Sequence, residues 1–197
     1  MTPVPPVPPV PHACKTKQRT NKAPQDEFVQ IDEPQLAKLA NGTLVMVGHG
    51  DAESPGRNTL AMALSDDNGY SFHGLRKIEG LVQPGVGLGL VIKDDVIFVS
   101  HDNNGTLGNT APTAHDASRN NLTVSRSADL GRTWVTRPVD RRFTGLSTMA
   151  EVSQLAAGAG GAGPARPLLG VMYEAGDHRF DGGGIWFATL PMEWGRT

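Results

Sequence analysis

Short apolar runs broken by turn-forming residues recur from residue 28 to residue 194. The runs at 35–39, 43–48, 60–65, 91–100, 122–127, 168–173 and 185–190 are rich in Val, Ile and Leu. Bounded as they are by Gly, Asn and Asp, they predict β strands rather than helices. Asn41-Gly42 and Asn68-Gly69 supply residues that tolerate positive φ, and each predicts a tight hairpin turn. Asp94-Asp95 separates Val91-Ile92 from Val96-Ile97-Phe98 and marks another reversal. Apolar residues at helical spacing are nearly absent. The pattern predicts an all-β chain built as a meander of short antiparallel strands.

A repeated octapeptide refines this picture. Ser127-Ala128-Asp129-Leu130-Gly131-Arg132-Thr133-Trp134 has a looser upstream copy, Ser65-Asp66-Asp67-Asn68-Gly69-Tyr70-Ser71-Phe72. Both fit S-x-D-x-G-x-[ST]-[WF]. In such a turn the Asp carboxylate accepts backbone N–H bonds, the Gly takes positive φ and the closing aromatic packs between sheets. Ser65, Asp67, Gly69 and Phe72, with Ser127, Asp129, Gly131 and Trp134, are therefore predicted to be structural. Four-stranded units of about 40 to 50 residues would make residues 28–194 about three blades of a propeller.

The ends and insertions read differently. Residues 3–12 are Pro-Val-Pro-Pro-Val-Pro-Pro-Val-Pro-His, which favours polyproline II, so residues 1–27 are expected to be a disordered segment preceding a domain at 28–197. Ala157 to Ala165 is a Gly/Ala-rich stretch expected as a flexible hairpin insertion. No apolar run reaches the ~20 residues of a membrane span, and the N-terminus lacks the apolar core of a signal peptide, so localisation stays open. The 197 residues are 38% hydrophobic, enough for an ordinary core, and a net charge of −2 gives no basic field for nucleic acid. Cys14 has no second cysteine to pair with.

No cofactor is implied. His49, His101, His115 and His178 lie near Asp102, Asp116 and Asp177 in sequence, but without a metal-ligand spacing, and are expected as surface histidines in loops. Gly85-Val86-Gly87-Leu88-Gly89-Leu90 has the glycines of a dinucleotide loop, yet a Val/Ile strand follows it where a helix would be needed.

The octapeptide is the Asp-box (BNR) pattern, and with it the chain resembles the sialidase (neuraminidase) family at several separate motifs. Glu33-Pro34-Gln35-Leu36, followed by Asn41-Gly42-Thr43-Leu44, is similar to the family's E-[CP]-Q segment and hairpin. Arg119-Asn120-Asn121-Leu122-Thr123-Val124 is similar to its R-x-N-x-T-[VI] strand. Leu168 to Gly176, Ile185-Trp186-Phe187-Ala188 and Met192-Glu193-Trp194 resemble its closing segment. The resemblance implies a six-bladed β-propeller of which this chain holds the C-terminal half.

It also implies an exo-α-sialidase, a glycosidase that hydrolyses terminal α-linked sialic acid from glycoconjugates. Glu33 would be the base that takes the proton of a nucleophilic tyrosine, and Arg119 a member of the arginine triad that grips the sugar carboxylate. Glu174 would orient another triad arginine, and Arg57 is a weaker candidate for the carboxylate. Two positions depart from the pattern: His49 stands where the second triad arginine is expected, and Leu146, in Gly145-Leu146-Ser147, stands where the tyrosine is expected. Tyr173 could replace that tyrosine only in principle. The first triad arginine and the acid aspartate have no counterpart in residues 1–30. The implied partner is a sialylated glycan, and two chains could associate to close the ring. The rival reading is a non-catalytic carbohydrate-binding or interaction module.

Overall fold

The computed structural model describes residues 31–50, 59–103, 119–153, 167–177 and 183–194. Residues 1–27, Arg57, His115, His178 and the Ala157 to Ala165 stretch lie outside these. The described residues form ten strands and no helix. They are β1 (Asp32–Lys38), β2 (Leu44–His49), β3 (Thr59–Ser65), β4 (His73–Val82), β5 (Gly89–Lys93), β6 (Val96–Asp102), β7 (Asn120–Ser127), β8 (Val135–Ser153), β9 (Pro167–Gly176) and β10 (Gly184–Pro191).

Every neighbouring pair is antiparallel. A four-stranded sheet runs β1-β2-β3-β4, and a six-stranded sheet runs β10-β9-β8-β7-β6-β5. Strand order follows chain order in both, the meander expected from the turn residues. Asp94 (φ 49°) and Asp95 (φ 60°) make the β5–β6 turn and Gly42 (φ 96°) the β1–β2 turn. The two turns are tied together, Ala40 N donating to Asp95 Oδ1 at 2.7 Å.

Strand β6 explains how the layers stack. Ile97 and Val99 point to one core, with Val45, Val47, Leu60, Met62 and Ile78 of the first sheet. Phe98, between them, points to a second core with Leu122, Val124, Met149, Leu169 and Val171. Alternation along a strand sends successive side chains to opposite faces, so a strand covered on both faces reads as a continuous apolar run. The β5–β7 region is thus sandwiched between the first sheet and β8–β10. Each fully buried aliphatic side chain here is worth about 1.5–3 kcal/mol over an exposed one.

Strand β8 is 19 residues long. Its first half pairs with β7, from Val135↔Arg126 to Phe143↔Asn120, and its second half with β9, from Phe143↔Gly176 to Ser153↔Pro167. The register slips between Thr144 and Ser147, a bulge that turns Leu146 outward to 54% exposure.

The two octapeptides close the β3–β4 and β7–β8 connections with the same hydrogen bonds. Ser71 N and Oγ donate to Asp67 at 2.9 and 2.6 Å, and Gly69 N donates to Ser65 Oγ at 2.9 Å. Thr133 N and Oγ1 donate to Asp129 at 2.9 and 2.6 Å, and Gly131 N to Ser127 Oγ at 2.8 Å. The hydroxyl and amide donors hold the Asp67 carboxyl down at about 2 and Asp129 lower still. The second turn also joins the sheets: Arg76 of β4 donates to the carbonyls of Leu130 and Gly131 at 2.7 and 3.2 Å, and Trp134 packs beside the first core.

Candidate functional site

Glu33 sits in an irregularity of β1, where the register with β2 shifts between Asp32 and Gln35. Its φ of 45° is left-handed, a conformation that costs a non-glycine residue and that neighbouring structure must enforce. The neighbour is Gly48 of β2: a Cβ there would meet Ile31 Cγ2 and would lie 2.6 Å from the Asp32 carbonyl oxygen. Only glycine lets β1 approach closely enough to aim Glu33 outward.

Glu33 Oε2 lies 3.3 Å from His49 Nε2, with the Glu side chain 57% exposed and the His side chain 8%. His49 Nδ1 is 2.9 Å from the Gly50 carbonyl, which can only accept, so Nδ1 carries a proton. A bond from Nε2 to the carboxylate then needs the second ring proton, and the contact becomes an ion pair when His49 is protonated. Residue 49 therefore serves Glu33 at this position.

The glycine-rich loop between β4 and β5 lies beside several of the candidate residues. A Cβ on Gly87 would lie 2.8 Å from Leu146 Cδ2 and 3.5 Å from Glu33 Oε2, so both side chains border this glycine. Two residues earlier, the Gly85 carbonyl accepts a bond from Arg119 Nη2 at 2.5 Å. Glu33, Leu146 and Arg119 thus each border the loop at residues 85–87. Ser147 N donates to the Gly87 carbonyl at 3.3 Å, pinning the β8 bulge to the same loop.

Behind the loop lies a buried polar network. Asp102, at the end of β6 and 1% exposed, accepts a bond from Thr144 Oγ1 at 2.5 Å. Its N–H donates to Gln83 Oε1 at 2.7 Å, and Gln83 Nε2 donates to the Val86 carbonyl at 2.5 Å. Burial pushes the Asp102 carboxyl up to about 7, against the opposing pull of the Thr144 bond and the Arg119 charge. His101 is fully buried too. Its Nδ1 donates to the Val82 carbonyl at 2.7 Å and its Nε2 faces Ser125 Oγ at 2.7 Å; burial holds it down at about 4.

His49 and His101 correct the expectation of surface histidines: both are buried in strands, where ring nitrogens find fixed partners. No three His, Cys, Asp or Glu residues group as a metal site among the described residues. Glu174 accepts from Leu146 N at 3.2 Å and packs against Gly145, where a Cβ would collide with its carboxylate. Its described role is to brace the bulge. Tyr173 is buried, its hydroxyl donating to Asp140 Oδ2 at 3.1 Å, and burial raises its pKa, away from the phenolate. Asp140 is held by Arg142 at 2.6 Å, and Arg142 lies 4.1 Å from the Trp186 ring centroid.

The parts that sequence patterns did not reveal are the loop at residues 85–88 and the Asp102–Thr144–Gln83 network. The glycine spacing of that loop was a usable signal, since glycine marks close approach as well as phosphate binding.

Among solved structures, the chain is similar to a leech intramolecular trans-sialidase complexed with 2,7-anhydro-Neu5Ac. That likeness has 19% identity and a TM-score of 0.51, and covers 80% of this chain and 23% of the other. An intramolecular trans-sialidase from Ruminococcus gnavus in complex with oseltamivir carboxylate aligns at 16% identity and a TM-score of 0.46, covering 73% of this chain and 28% of that one. No family model and no curated protein sequence matches the chain. The leech likeness gives a sialidase-like fold, and this chain spans about a quarter of the length of either neighbour.

Proposed function

We propose that this chain is part of a sialidase-type propeller of the glycoside hydrolase class, and that its site grips a terminal α-linked sialic acid. The observation that supports the reading is the shared loop: a Cβ on Gly87 would meet Leu146 and lie 3.5 Å from Glu33 Oε2, while the Gly85 carbonyl accepts a bond from Arg119. A guanidinium on one side and a carboxylate on the other suit a sugar that carries an acid on its anomeric carbon. Arg119 meets the acid, and Glu33 faces the reacting side. In the reaction implied by the resemblance, Glu33 takes the proton of a tyrosine that attacks the anomeric carbon with retention. Leu146 stands at the position where the resemblance expects that tyrosine and has no proton to give, so this chain holds the sugar without cleaving it.

A fluorogenic α-sialoside offered to the purified chain should show no turnover above background. N-acetylneuraminic acid should still bind by calorimetry or ligand-observed NMR, and Arg119→Ala should weaken binding about tenfold or more. Hydrolysis by the wild-type chain, or binding untouched by Arg119→Ala, would reject this reading. A second reading, hydrolysis when further blades supply the nucleophile and the acid, is favoured by the exposure of Glu33 and Leu146 toward solvent.

A further inference from the structure

Arg119 is held at both ends by one closed set of hydrogen bonds. Its carbonyl accepts from Thr144 N at 3.1 Å, and Thr144 Oγ1 donates to Asp102 Oδ1 at 2.5 Å. From Asp102 the path continues through Gln83 to the Val86 carbonyl, and Gly85, the neighbour of Val86, receives the Arg119 guanidinium. Asp102 is therefore linked through Thr144 to the Arg119 backbone and through Gln83 to the loop on which Arg119 rests. Its second oxygen, Oδ2, is buried with no hydrogen-bond partner. A buried acceptor left unmet costs free energy, and far more if the group is ionised. Nothing in the hydrolytic scheme uses Asp102, and a purely structural role would be met at lower cost by an amide or an apolar side chain.

We propose that Asp102 is a positioning residue for Arg119, linked to it through Thr144, and that loss of its proton weakens the grip of Arg119 on a carboxylated sugar. While Asp102 is neutral it takes nothing from the positive field that Arg119 offers. Once ionised it draws that field inward and competes with the ligand's carboxylate. The raised carboxyl, near 7, puts the change close to neutrality. The other charged groups nearby are engaged elsewhere. His101, next to it on β6, is kept neutral by burial, its ring bonded to Val82 and Ser125; Asp140 and Arg142 of β8 pair with each other, and Tyr173 of β9 donates to Asp140; Glu33 lies 3.3 Å from His49.

This inference rests on the sialic-acid reading, and two readouts separate the two. Binding of N-acetylneuraminic acid is measured from pH 6 to pH 8 for the wild-type chain, Asp102→Asn and Thr144→Val. Wild-type affinity should fall about three- to tenfold over that range, and the profile should flatten in Asp102→Asn. In parallel, carbon-detected NMR follows the Asp102 carboxyl in the wild-type chain and in Arg119→Gln. Its midpoint should rise when the guanidinium is removed. A sloping profile retained in Asp102→Asn, or an Asp102 midpoint indifferent to Arg119→Gln, overturns the proposal. Absence of binding at every pH rejects the sialic-acid reading, and the NMR arm alone then judges the coupling. Thr144→Val keeps the binding arm decisive if Asp102→Asn does not fold.

Discussion

His101 and Asp102 stand side by side in β6, both buried, and burial acts on them in opposite senses. The native imidazole refuses a proton that the unfolded chain accepts between about 4 and 6.5, so its contribution rises with pH across that window. The native Asp102 carboxyl keeps a proton that the unfolded chain has lost between 3.8 and about 7, so its contribution falls as pH rises. Each slope reaches about 1.4 kcal/mol per pH unit, and in the wild-type chain the two offset one another. Urea denaturation should therefore show a nearly flat stability from pH 4.5 to 6. Asp102→Asn should become less stable on acidification through that range, and His101→Gln less stable as pH rises through it. Parallel profiles in all three proteins would contradict the assignment.

Elements place these residues through close approaches of backbone. Gly48 is the clearest case, because β1 passes so near β2 that any side chain there would strike Ile31 and the Asp32 carbonyl. Gly48→Ala should cost about 1–3 kcal/mol and displace Glu33 from His49. A lowered chemical denaturation midpoint, with a changed His49 ring signal by NMR, would report both effects. The same element scale explains what was readable beforehand. Strands β2, β3, β6, β7 and β9 coincide with apolar runs because each sends at least one face into a core, whereas the apolar run of β10 is mostly exposed. Strand β4 carries Gly74 and Gly80 at positive φ and two register shifts, which break its alternation. The first half of β8, Val-Thr-Arg-Pro-Val-Asp-Arg-Arg, is mostly exposed, so no apolar signal marks it. Glu33 and Arg119 could be named from motifs, but the loop that unites them could not, since a hydrogen bond from Arg119 to Gly85 spans 34 residues of chain.

For the whole molecule, β10 is one border of the six-stranded sheet among the described residues. It holds no charged residue, lies at the end of the six-stranded sheet, and leaves Ile185, Trp186 and Phe187 exposed at 68%, 45% and 63%. An edge without charge or bulge invites further strands. Light scattering during size-exclusion chromatography should show mass rising with concentration, as self-association through this border requires. Phe187→Lys should hold the protein at monomer mass while leaving its thermal midpoint within a few degrees. Invariant monomer mass for the wild type would remove self-association as a way of closing the proposed propeller. Strand β8 carries a separate consequence. Because the same backbone serves β7 through its first half and β9 through its second, no cut can divide these layers into independent pieces. Any truncated version that keeps Arg119 in place must also retain the strands beyond it, so the surroundings of Arg119 and the β10 border stand or fall as one inheritance.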